Sequence, residues 1–311
     1  MSHTIGVITN PTSGSGRGTR WGREALQALA AHGHKIRDLS HGSWSSAYEA
    51  AMKARKSLDA LVVVGGDGMV HLGAQICAER KDLPLGIIAA GSGNDAATSY
   101  GLPVLDIAAA ARRVHEGLLG DVTAVDLGKV TGYGVGEPGD PRFFTCVLSA
   151  GIDAAVAAYA SNITWPRGPI KYKVSTYREL QRFHPYGVKV VADGKRWQGA
   201  ATLIAVANTR IFGGGLIISP DSKVDDGVFE VVTAEDVSRL GIARLMPKLK
   251  DGSIIEDPRL TVRQVKEVTI SQTDDGATLP AAFADGELVG PEPLHVKIAP
   301  KALRVLGARI P

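Results

Sequence analysis

The stretch Leu61-Val-Val-Val-Gly-Gly-Asp-Gly-Met-Val70 decides how this chain folds and what its first half can bind. Four apolar residues predict a buried strand, and they run directly into a glycine turn that carries a carboxylate, Asp67. Glycines at a strand end let a ligand approach the backbone, and successive amides in such a turn bind anions. An aspartate would repel a bare phosphate, so a binding site of this kind needs a divalent cation between them. On this stretch alone, a plain turn is the alternative.

The segments around this stretch alternate between short apolar strands and amphipathic helices. Continuous apolar strands separated by helices predict a parallel sheet that is covered by helices on both faces. The predicted strands are Ile5–Thr9, Lys35–Leu39, Leu61–Val64 and Leu85–Ala89, and the predicted helices are Trp21–Ala31, Ser45–Lys56, Met69–Glu79 and Ile107–Glu116. In such sheets ligands bind beyond the carboxyl ends of the strands.

Three of these strands end in polar, glycine-rich loops. The loops are Asn10-Pro-Thr-Ser-Gly-Ser-Gly-Arg-Gly18, Gly65-Gly-Asp-Gly68 and Gly91-Ser-Gly-Asn-Asp95. The first loop does not fit the dinucleotide fingerprint, since Thr19 stands where a third glycine would fall. It does not fit the Walker spacing either, since no Gly-Lys-Ser/Thr follows. Phosphate binding and a plain strand–helix turn both stay open for it. In the third loop Ser92 offers a hydroxyl to a phosphate, and Asn94 or Asp95 can cap the short helix that follows.

Beyond Asp121 the pattern changes to alternating runs separated by turn signals, which predicts antiparallel β structure. The predicted strands are Phe143–Leu148, Gly187–Val191, Ala201–Asn208, Val228–Thr233 and Glu267–Ile270. We therefore predict an α/β N-terminal domain with a parallel, helix-covered sheet over residues 1–121. An antiparallel β-rich, sandwich-like domain should follow over residues 122–299, with residues 300–311 returning to the first domain.

Two acidic segments of the second domain have both structural and functional interpretations. Asp221, Asp225 and Asp226 lie within six positions, as either a solvated loop or part of a hard-cation site. Asp285-Gly286 predicts a hairpin turn, and Ala192-Asp-Gly-Lys195 repeats that turn without an acid after it. The turn itself therefore carries no functional information, and only Glu287 is a candidate base.

Composition sets limits on the class of protein. The 311 residues are 44% hydrophobic and 22% charged, as in a soluble globular protein, and the formal charge of +3 is too small to indicate nucleic-acid binding. Cys77 and Cys146 are too few for a disulfide framework, which fits a reducing cytosol. The longest apolar run, Phe143–Ala160, contains Asp153 and predicts a core strand followed by a helix. We expect a cytoplasmic protein without a transmembrane segment.

Taken in order, the motifs resemble the diacylglycerol kinase catalytic-domain family, the lipid kinases that include bacterial diacylglycerol kinases and sphingosine kinases. The motifs are Asn10-Pro-x-Ser-Gly14, Gly65-Gly-Asp-Gly68, Gly91-Ser-Gly-Asn-Asp95, the acidic loop from Pro220 to Gly227, and Asp285-Gly-Glu287. The resemblance implies a two-domain enzyme of phospholipid metabolism that uses ATP and Mg²⁺, with ATP in the cleft between the domains. The acceptor it implies is a lipid hydroxyl, most simply diacylglycerol giving phosphatidic acid.

The resemblance also implies roles for individual residues. Residues that would contact the nucleotide are Asn10, Pro11, Ser13, Gly14, Ser40, Gly65, Gly66, Asp67, Gly68, Met69, Val70, Ser92 and Asn94. Magnesium would be held by the Asp226 side chain and by the Lys223 and Val228 carbonyls, with Asp67 and Asp95 linked to it through water. Asp67 and Glu287 would be catalytic, Glu287 as the general base.

The chain departs from the family pattern after Gly68. The family has Thr, Asn and Glu where this chain has Met69, His71 and Leu72, and a methionine cannot donate the hydrogen bond of a threonine. Losing one such bond to a charged group costs about 1.5–3 kcal/mol. Three alternatives stay open. The Gly65-Gly-Asp-Gly68 turn also resembles that of NAD kinases, so a kinase of that kind or another kinase with a soluble acceptor is one direction, and Met69 keeps open a regulator that binds nucleotide or lipid without catalysis.

Basic residues and aromatic residues alternate between Arg167 and Arg196. The basic residues are Arg167, Lys171, Lys173, Arg178, Arg182, Lys189, Lys195 and Arg196, and the aromatic residues include Trp165, Tyr172, Tyr177 and Phe183. This mixture predicts peripheral contact with an anionic membrane surface, or else a solvated face over a core helix. The sequence does not identify which lipid accepts the phosphate. It does not identify the oligomeric state either, and a homodimer stays open.

Overall fold

The structure, a computed structural model, describes residues 2–11, 13–132, 142–165 and 169–311. The chain divides into two compact units, one formed by Met1–Leu127 with Pro300–Pro311 and the other by Gly128–Ala299. Two strands, β5 (Val122–Gly132) and β17 (Leu294–Leu306), contribute residues to both units. Among the described residues, no helix combines the length and the hydropathy needed to cross a membrane.

The first unit is built on four parallel strands in the order β4, β3, β1, β2. Its elements are β1 (Thr4–Thr9), α1 (Ser13–Gly16), α2 (Gly18–Ala31), β2 (Lys35–Asp38), α3 (Trp44–Ala54), β3 (Ala60–Gly65), α4 (Asp67–Cys77), β4 (Leu85–Ala89), α5 (Asp95–Ser99) and α6 (Ile107–Leu118). The central strand β3 is buried along its whole length, as its unbroken apolar sequence predicts. Helices α3 and α6 begin where the Ser43 and Asp106 side chains accept amide hydrogen bonds from their first turns.

The second unit is an antiparallel sheet in the order β16, β15, β7, β9, β8, β14, β17, with β12 and β13 added at β9. Its strands are β6 (Arg142–Phe144), β7 (Val147–Gly151), β8 (Tyr186–Ala192), β9 (Lys195–Ala207), β10 (Ile211–Phe212), β11 (Leu216–Ile217), β12 (Phe229–Glu235), β13 (Leu260–Val265), β14 (Glu267–Gln272), β15 (Ala282–Ala284) and β16 (Glu287–Gly290). Its helices are α7 (Ile152–Asn162), α8 (Pro169–Arg182) and α9 (Arg239–Leu245). An apolar core centred on residues such as Phe144, Ile204 and Phe229 lies within this unit.

Apart from shifts of a few residues at element ends, the predicted domain boundary and one predicted strand differ from the structure. The first unit ends at Leu127 and not at residue 121, because β5 is one continuous strand whose first part binds the C-terminal segment. In that first part, Thr123 donates a hydrogen bond to the Ala308 carbonyl at 2.9 Å. The predicted strand Phe143–Leu148 is two strands, β6 and β7. It is interrupted where the amides of Thr145 and Cys146 turn to the carboxylate of Asp285.

Candidate active site

The first glycine loop follows β1 and is closed by its own backbone. The Asn10 amide donates to the Val64 carbonyl at 3.1 Å, which ties the loop to β3. The Asn10 carbonyl accepts the Ser13 amide at 3.2 Å and the Ser13 hydroxyl at 3.0 Å. Gly14 has φ +56°, and a Cβ there would collide with the Trp21 ring, so only glycine fits. Pro11 is exposed beside these groups.

Ser40 lies at the same edge of the sheet, just after β2. Its hydroxyl accepts the Thr9 amide at 3.0 Å and is 3.0 Å from the Thr9 hydroxyl. Asp38 accepts the Ser40 amide at 2.9 Å and so fixes the backbone there. The end of β2 is thereby joined to the end of β1, and the predicted contact residue Ser40 stands beside the first glycine loop.

The second and third glycine loops touch through their backbones. A Cβ on Gly66 would lie 3.0 Å from the Gly91 Cα, so a side chain at either position would push the loops apart. Gly66 is the residue before α4, and Asp67 and Gly68 form the first turn of that helix. The amides at a helix N-terminus are suited to binding anions. Residues 66–68 are partly exposed, which leaves this turn accessible.

Asp67 connects the second loop to the third. Its carboxylate accepts the Asn94 amide at 2.7 Å and the Ala96 amide at 3.3 Å. Asp67 therefore supplies the N-terminal cap of α5, a role that the sequence assigned to Asn94 or Asp95. Asn94 makes no cap hydrogen bond because its backbone is left-handed, at φ 64°. Asp95 is the buried first residue of that helix.

The side chain of Asn94 instead closes its own loop. Its Oδ1 accepts the Gly91 amide at 2.8 Å, and its Nδ2 donates to the Gly91 carbonyl at 2.9 Å. Ser92, between them in sequence, is exposed. The parallel register places Thr9 beside Val64 and Gly65 beside Ala89, so all three loops leave the sheet at one edge. The first unit thus brings every predicted nucleotide-binding segment to that edge.

Met69 and Val70 face the interior of the first unit. Both are buried, and a Cβ on Gly65 would lie 2.6 Å from the Met69 Cγ, which shows how closely the methionine packs on the turn. His71 is buried as well. The position of the family threonine is therefore filled by apolar packing, and the partly exposed backbone beside it, Gly66 to Gly68, carries the polar groups.

Two Asp-Gly turns of the second unit are built in the same way. Asp285, at φ 53°, accepts the amides of Thr145 and Cys146 at 2.7 and 2.8 Å and the Thr145 hydroxyl at 3.0 Å. Asp193, at φ 44°, accepts the amides of Lys266 and Glu267, each at 3.0 Å. In both turns the aspartate anchors a neighbouring segment of backbone. What distinguishes them is the residue after glycine, Glu287 in one and Lys195 in the other.

Glu287 is exposed at the first position of β16. The pKa of the Tyr172 phenol is raised, first by burial and second by the negative charge of the Glu287 carboxylate. The anchored turn fixes the backbone of Glu287, while its side chain reaches solvent. A carboxylate held in this way can accept a proton from a bound hydroxyl.

The acidic loop between β11 and β12 is exposed at the charged residues Asp221, Lys223, Asp225 and Asp226. Asp226 accepts the Val228 amide at 3.2 Å, which orders the end of the loop. In the described parts of the chain, no group of three histidine, cysteine, aspartate or glutamate side chains is arranged to hold a metal ion. The predicted ligand set has one carboxylate and two carbonyls, and the loop supplies that carboxylate.

Two buried carboxylates lie outside the predicted site. Asp126 has no exposed surface and accepts the Lys301 amide at 2.7 Å. Burial of its carboxylate raises the pKa of Asp153 to about 6. In the sequence, each of these two carboxylates is marked only by being a single acid within an apolar run: Ala124-Val-Asp-Leu127 for Asp126 and Gly151-Ile-Asp-Ala154 for Asp153.

Asp153 lies on the wall of a pocket in the second unit. The pocket has a volume of about 80 Å³, and its lining is apolar apart from Asp153 and Thr202. The apolar residues include Phe212, Ile242, Leu245, Met246, Leu249 and Leu260. Such a lining can accommodate hydrocarbon.

Comparison with known proteins gives a consistent result across the chain. Residues 4–130 match the diacylglycerol kinase catalytic domain, and residues 146–307 match the YegS C-terminal NAD kinase beta sandwich-like domain. A diacylglycerol kinase of Mycobacterium tuberculosis is 33% identical over 312 residues, covering 99% of this chain and 97% of its own.

Two solved structures share the fold. A Bacillus anthracis protein assigned as a diacylglycerol kinase has a TM-score of 0.76 at 21% identity, covering 98% of this chain and 96% of its own. An NAD kinase from Archaeoglobus fulgidus in complex with ATP has a TM-score of 0.53 at 11% identity, covering 97% and 93%. The matched domains and the Mycobacterium tuberculosis relative show that the chain belongs to the diacylglycerol kinase catalytic-domain family and is a kinase-type phosphotransferase.

Proposed function

We propose that the protein transfers the γ-phosphate of ATP to the hydroxyl of a lipid, with diacylglycerol as the acceptor and phosphatidic acid as the product. The observation that carries this proposal is the convergence of three glycine loops at one edge of a parallel sheet, in a chain of this family. Phosphoryl transfer needs positioning and charge neutralisation more than covalent help, and backbone amides provide both.

The nucleotide would bind along that edge. Exposed or partly exposed groups of Asn10, Ser13, Ser40 and Ser92 offer polar contacts, and the amides of Gly66 to Gly68 offer a site for phosphate. Asp67 is already engaged with the α5 backbone, so its first effect would be to hold the second and third loops in register. Its second effect, shared with Asp95, would be to bind water molecules that also coordinate the cation.

The residues of the acidic loop fit Mg²⁺ chemically. Asp226 supplies a hard carboxylate oxygen, and the carbonyls of Lys223 and Val228 would supply two more oxygens, the ligand type that Mg²⁺ prefers. When bound, the ion would neutralise phosphate charge. Asp226→Ala should therefore lower activity, and Mg²⁺ should raise the melting temperature of the wild-type protein but not of this variant. An equal Mg²⁺ effect in both proteins would remove Asp226 from the site.

Glu287 would be the general base. The anchored Asp285 turn holds its backbone, and its exposed carboxylate would take the proton of the attacking hydroxyl at about 3 Å. The pocket beside Asp153 has an apolar lining that suits hydrocarbon, which favours a lipid over a dinucleotide acceptor.

Incubation with γ-labelled ATP and a total lipid extract tests the proposal. A lipid kinase moves label into the organic phase, whereas a kinase of the NAD kinase type labels a water-soluble product. A regulator without catalysis transfers no label at all. Absence of label from the organic phase would therefore overturn the proposal, and identification of the labelled lipid would name the acceptor. For a lipid acceptor we further propose a cytoplasmic enzyme in peripheral contact with the membrane.

A further inference from the structure

Helix α8 is fixed to the second unit by one face. Ser175 has no exposed surface, and its hydroxyl donates to the Lys171 carbonyl at 2.8 Å. The Arg178 guanidinium stacks on the Tyr159 ring of α7 at 3.8 Å from the ring centre. The Arg178–Tyr159 contact joins α8 to α7, and the buried Ser175 marks the inner face of α8, so the side chains on the opposite face point outward.

The outward face of α8 carries an apolar stripe. Ile170, Val174 and Tyr177 are 59%, 42% and 67% exposed, and their spacing of four and then three residues places them on one side of the helix. Trp165, which precedes the helix, is 82% exposed. A globular helix normally turns its apolar stripe toward the core, so this stripe lacks a partner within the described part of the chain.

Basic residues accompany the stripe. The helix has four basic residues, Lys171, Lys173, Arg178 and Arg182, against one acid, Glu179. Arg178 is engaged by Tyr159 and lies 3.9 Å from Glu179. Lys173 is exposed and borders the apolar stripe, three residues after Ile170 and four before Tyr177. The rest of the basic run predicted from the sequence lies elsewhere: Lys189, Lys195 and Arg196 are on β8 and β9, and Arg167 is outside the described residues.

We propose that α8 is the membrane-docking element and lies in the plane of an anionic bilayer surface. Ile170, Val174 and Tyr177 would enter the boundary between headgroups and acyl chains, and Trp165 would anchor the end of the helix in the same layer. Lys173 and Arg182 would contact lipid phosphates. Positive charge beside the stripe favours anionic lipid over a second copy of this chain, whose α8 carries the same charge.

This inference deepens the proposed function, since it names the surface on which a lipid kinase would meet its substrate. Co-sedimentation with vesicles tests it, using phosphatidylcholine alone and phosphatidylcholine mixed with phosphatidylglycerol. The wild-type protein should bind the mixed vesicles more strongly. Its fluorescence emission should shift to shorter wavelength on binding, and Trp165→Phe should abolish that shift.

Three variants separate the stripe from the charge. Ile170→Asp combined with Tyr177→Asp should weaken binding to mixed vesicles more than tenfold. Leu240→Asp is the matched control, because Leu240 is 62% exposed on α9, and it should bind like the wild type. Lys173→Glu should weaken binding to mixed vesicles by about 30-fold, as expected from about fivefold per unit of charge, with little effect on phosphatidylcholine alone.

Wild-type binding by the Ile170/Tyr177 variant would overturn the inference, as would equal losses in that variant and in Leu240→Asp. A change of oligomeric state on gel filtration in the Ile170/Tyr177 variant would assign the stripe to a contact between copies, and would also overturn it. The shift of melting temperature on adding ATP and the labelling of lipid extract report the proposed function separately. Vesicle binding without lipid labelling would leave α8 as a docking helix and refute the lipid kinase proposal.

Discussion

Substitutions at Asp285 and Glu287, which are separated by a single residue, should affect different properties: stability for Asp285 and turnover for Glu287. The Asp285 carboxylate accepts three hydrogen bonds from Thr145 and Cys146. In Asp285→Asn, one oxygen becomes an NH₂ group, which cannot accept and would face either the Thr145 donors or the Cys146 amide. Losing one charge-assisted bond costs about 1.5–3 kcal/mol. At about 2–4 °C per kcal/mol, the melting temperature should fall by about 3–12 °C.

Glu287→Gln should show the opposite pattern. Glu287 is exposed, and exposed isosteric substitutions change the unfolding free energy by about 0.5 kcal/mol or less. Turnover should fall by about 10²–10⁴ if the carboxylate is the base, while the melting-temperature shift caused by ATP stays as in the wild type. Differential scanning calorimetry and the labelled-ATP assay measure the two effects on the same samples.

Asp193→Asn is the internal control for this comparison. Asp193 anchors the amides of Lys266 and Glu267 from an equivalent turn, so its loss of stability should resemble that of Asp285→Asn. Lys195 follows that turn, and nothing assigns it a chemical role. Wild-type turnover in Glu287→Gln would refute the base assignment. An unchanged melting temperature in Asp285→Asn would refute the anchoring argument.

Three further predictions follow from the first unit. Asp67→Asn should lower the unfolding free energy by about 1.5–3 kcal/mol, since it removes a charge-assisted bond to the start of α5; denaturant titration measures this, and an unchanged midpoint would contradict it. The melting temperature should fall as the pH is lowered from about 7 to 5, because the His34 pKa is lowered, first by burial and then by the charge of His115. The two rings are close, with His34 Nε2 3.0 Å from His115 Nδ1. The folded state favours neutral His34, so its contribution is complete above its unfolded pKa of about 6.5 and is lost below it; His34→Gln should flatten the profile, and an equally steep profile would count against this. Met69→Thr should reduce stability by about 1–3 kcal/mol, through lost packing on Gly65, and should tighten ATP binding by calorimetry; unchanged affinity would show that the backbone amides suffice.

Much of the first unit follows from local sequence. The unbroken apolar run of β3 predicts a strand buried on both faces, and Leu85–Ala89 is a strand with the predicted bounds. Parallel strands joined by helices must all end at the same edge, so the sequence also predicts that the glycine loops meet. The Asp-Gly turns at residues 193 and 285 are likewise local, because two residues suffice to reverse a hairpin.

The partners of the carboxylates could not be predicted in this way. Asp67 caps a helix that begins 28 residues later, at Asp95, where Asn94 or Asp95 had been the expected cap. Asp285 binds amides 140 residues earlier in the chain and thereby divides a predicted strand into β6 and β7. These contacts depend on the left-handed backbone of Asn94 and on the antiparallel pairing of β15 with β7. Neither feature can be predicted from a few neighbouring residues of the sequence.

Local sequence therefore determined which segments become strands, helices and turns, because hydrophobic periodicity and glycine act over a few residues. Tertiary structure decided which side chains those elements expose: it buried Met69 and His71 in the first unit and left the stripe on α8 facing outward in the second. The reason is that a helix of mixed composition has no intrinsic inner face. Its orientation is selected by the surface against which it packs, and for α8 that surface is α7.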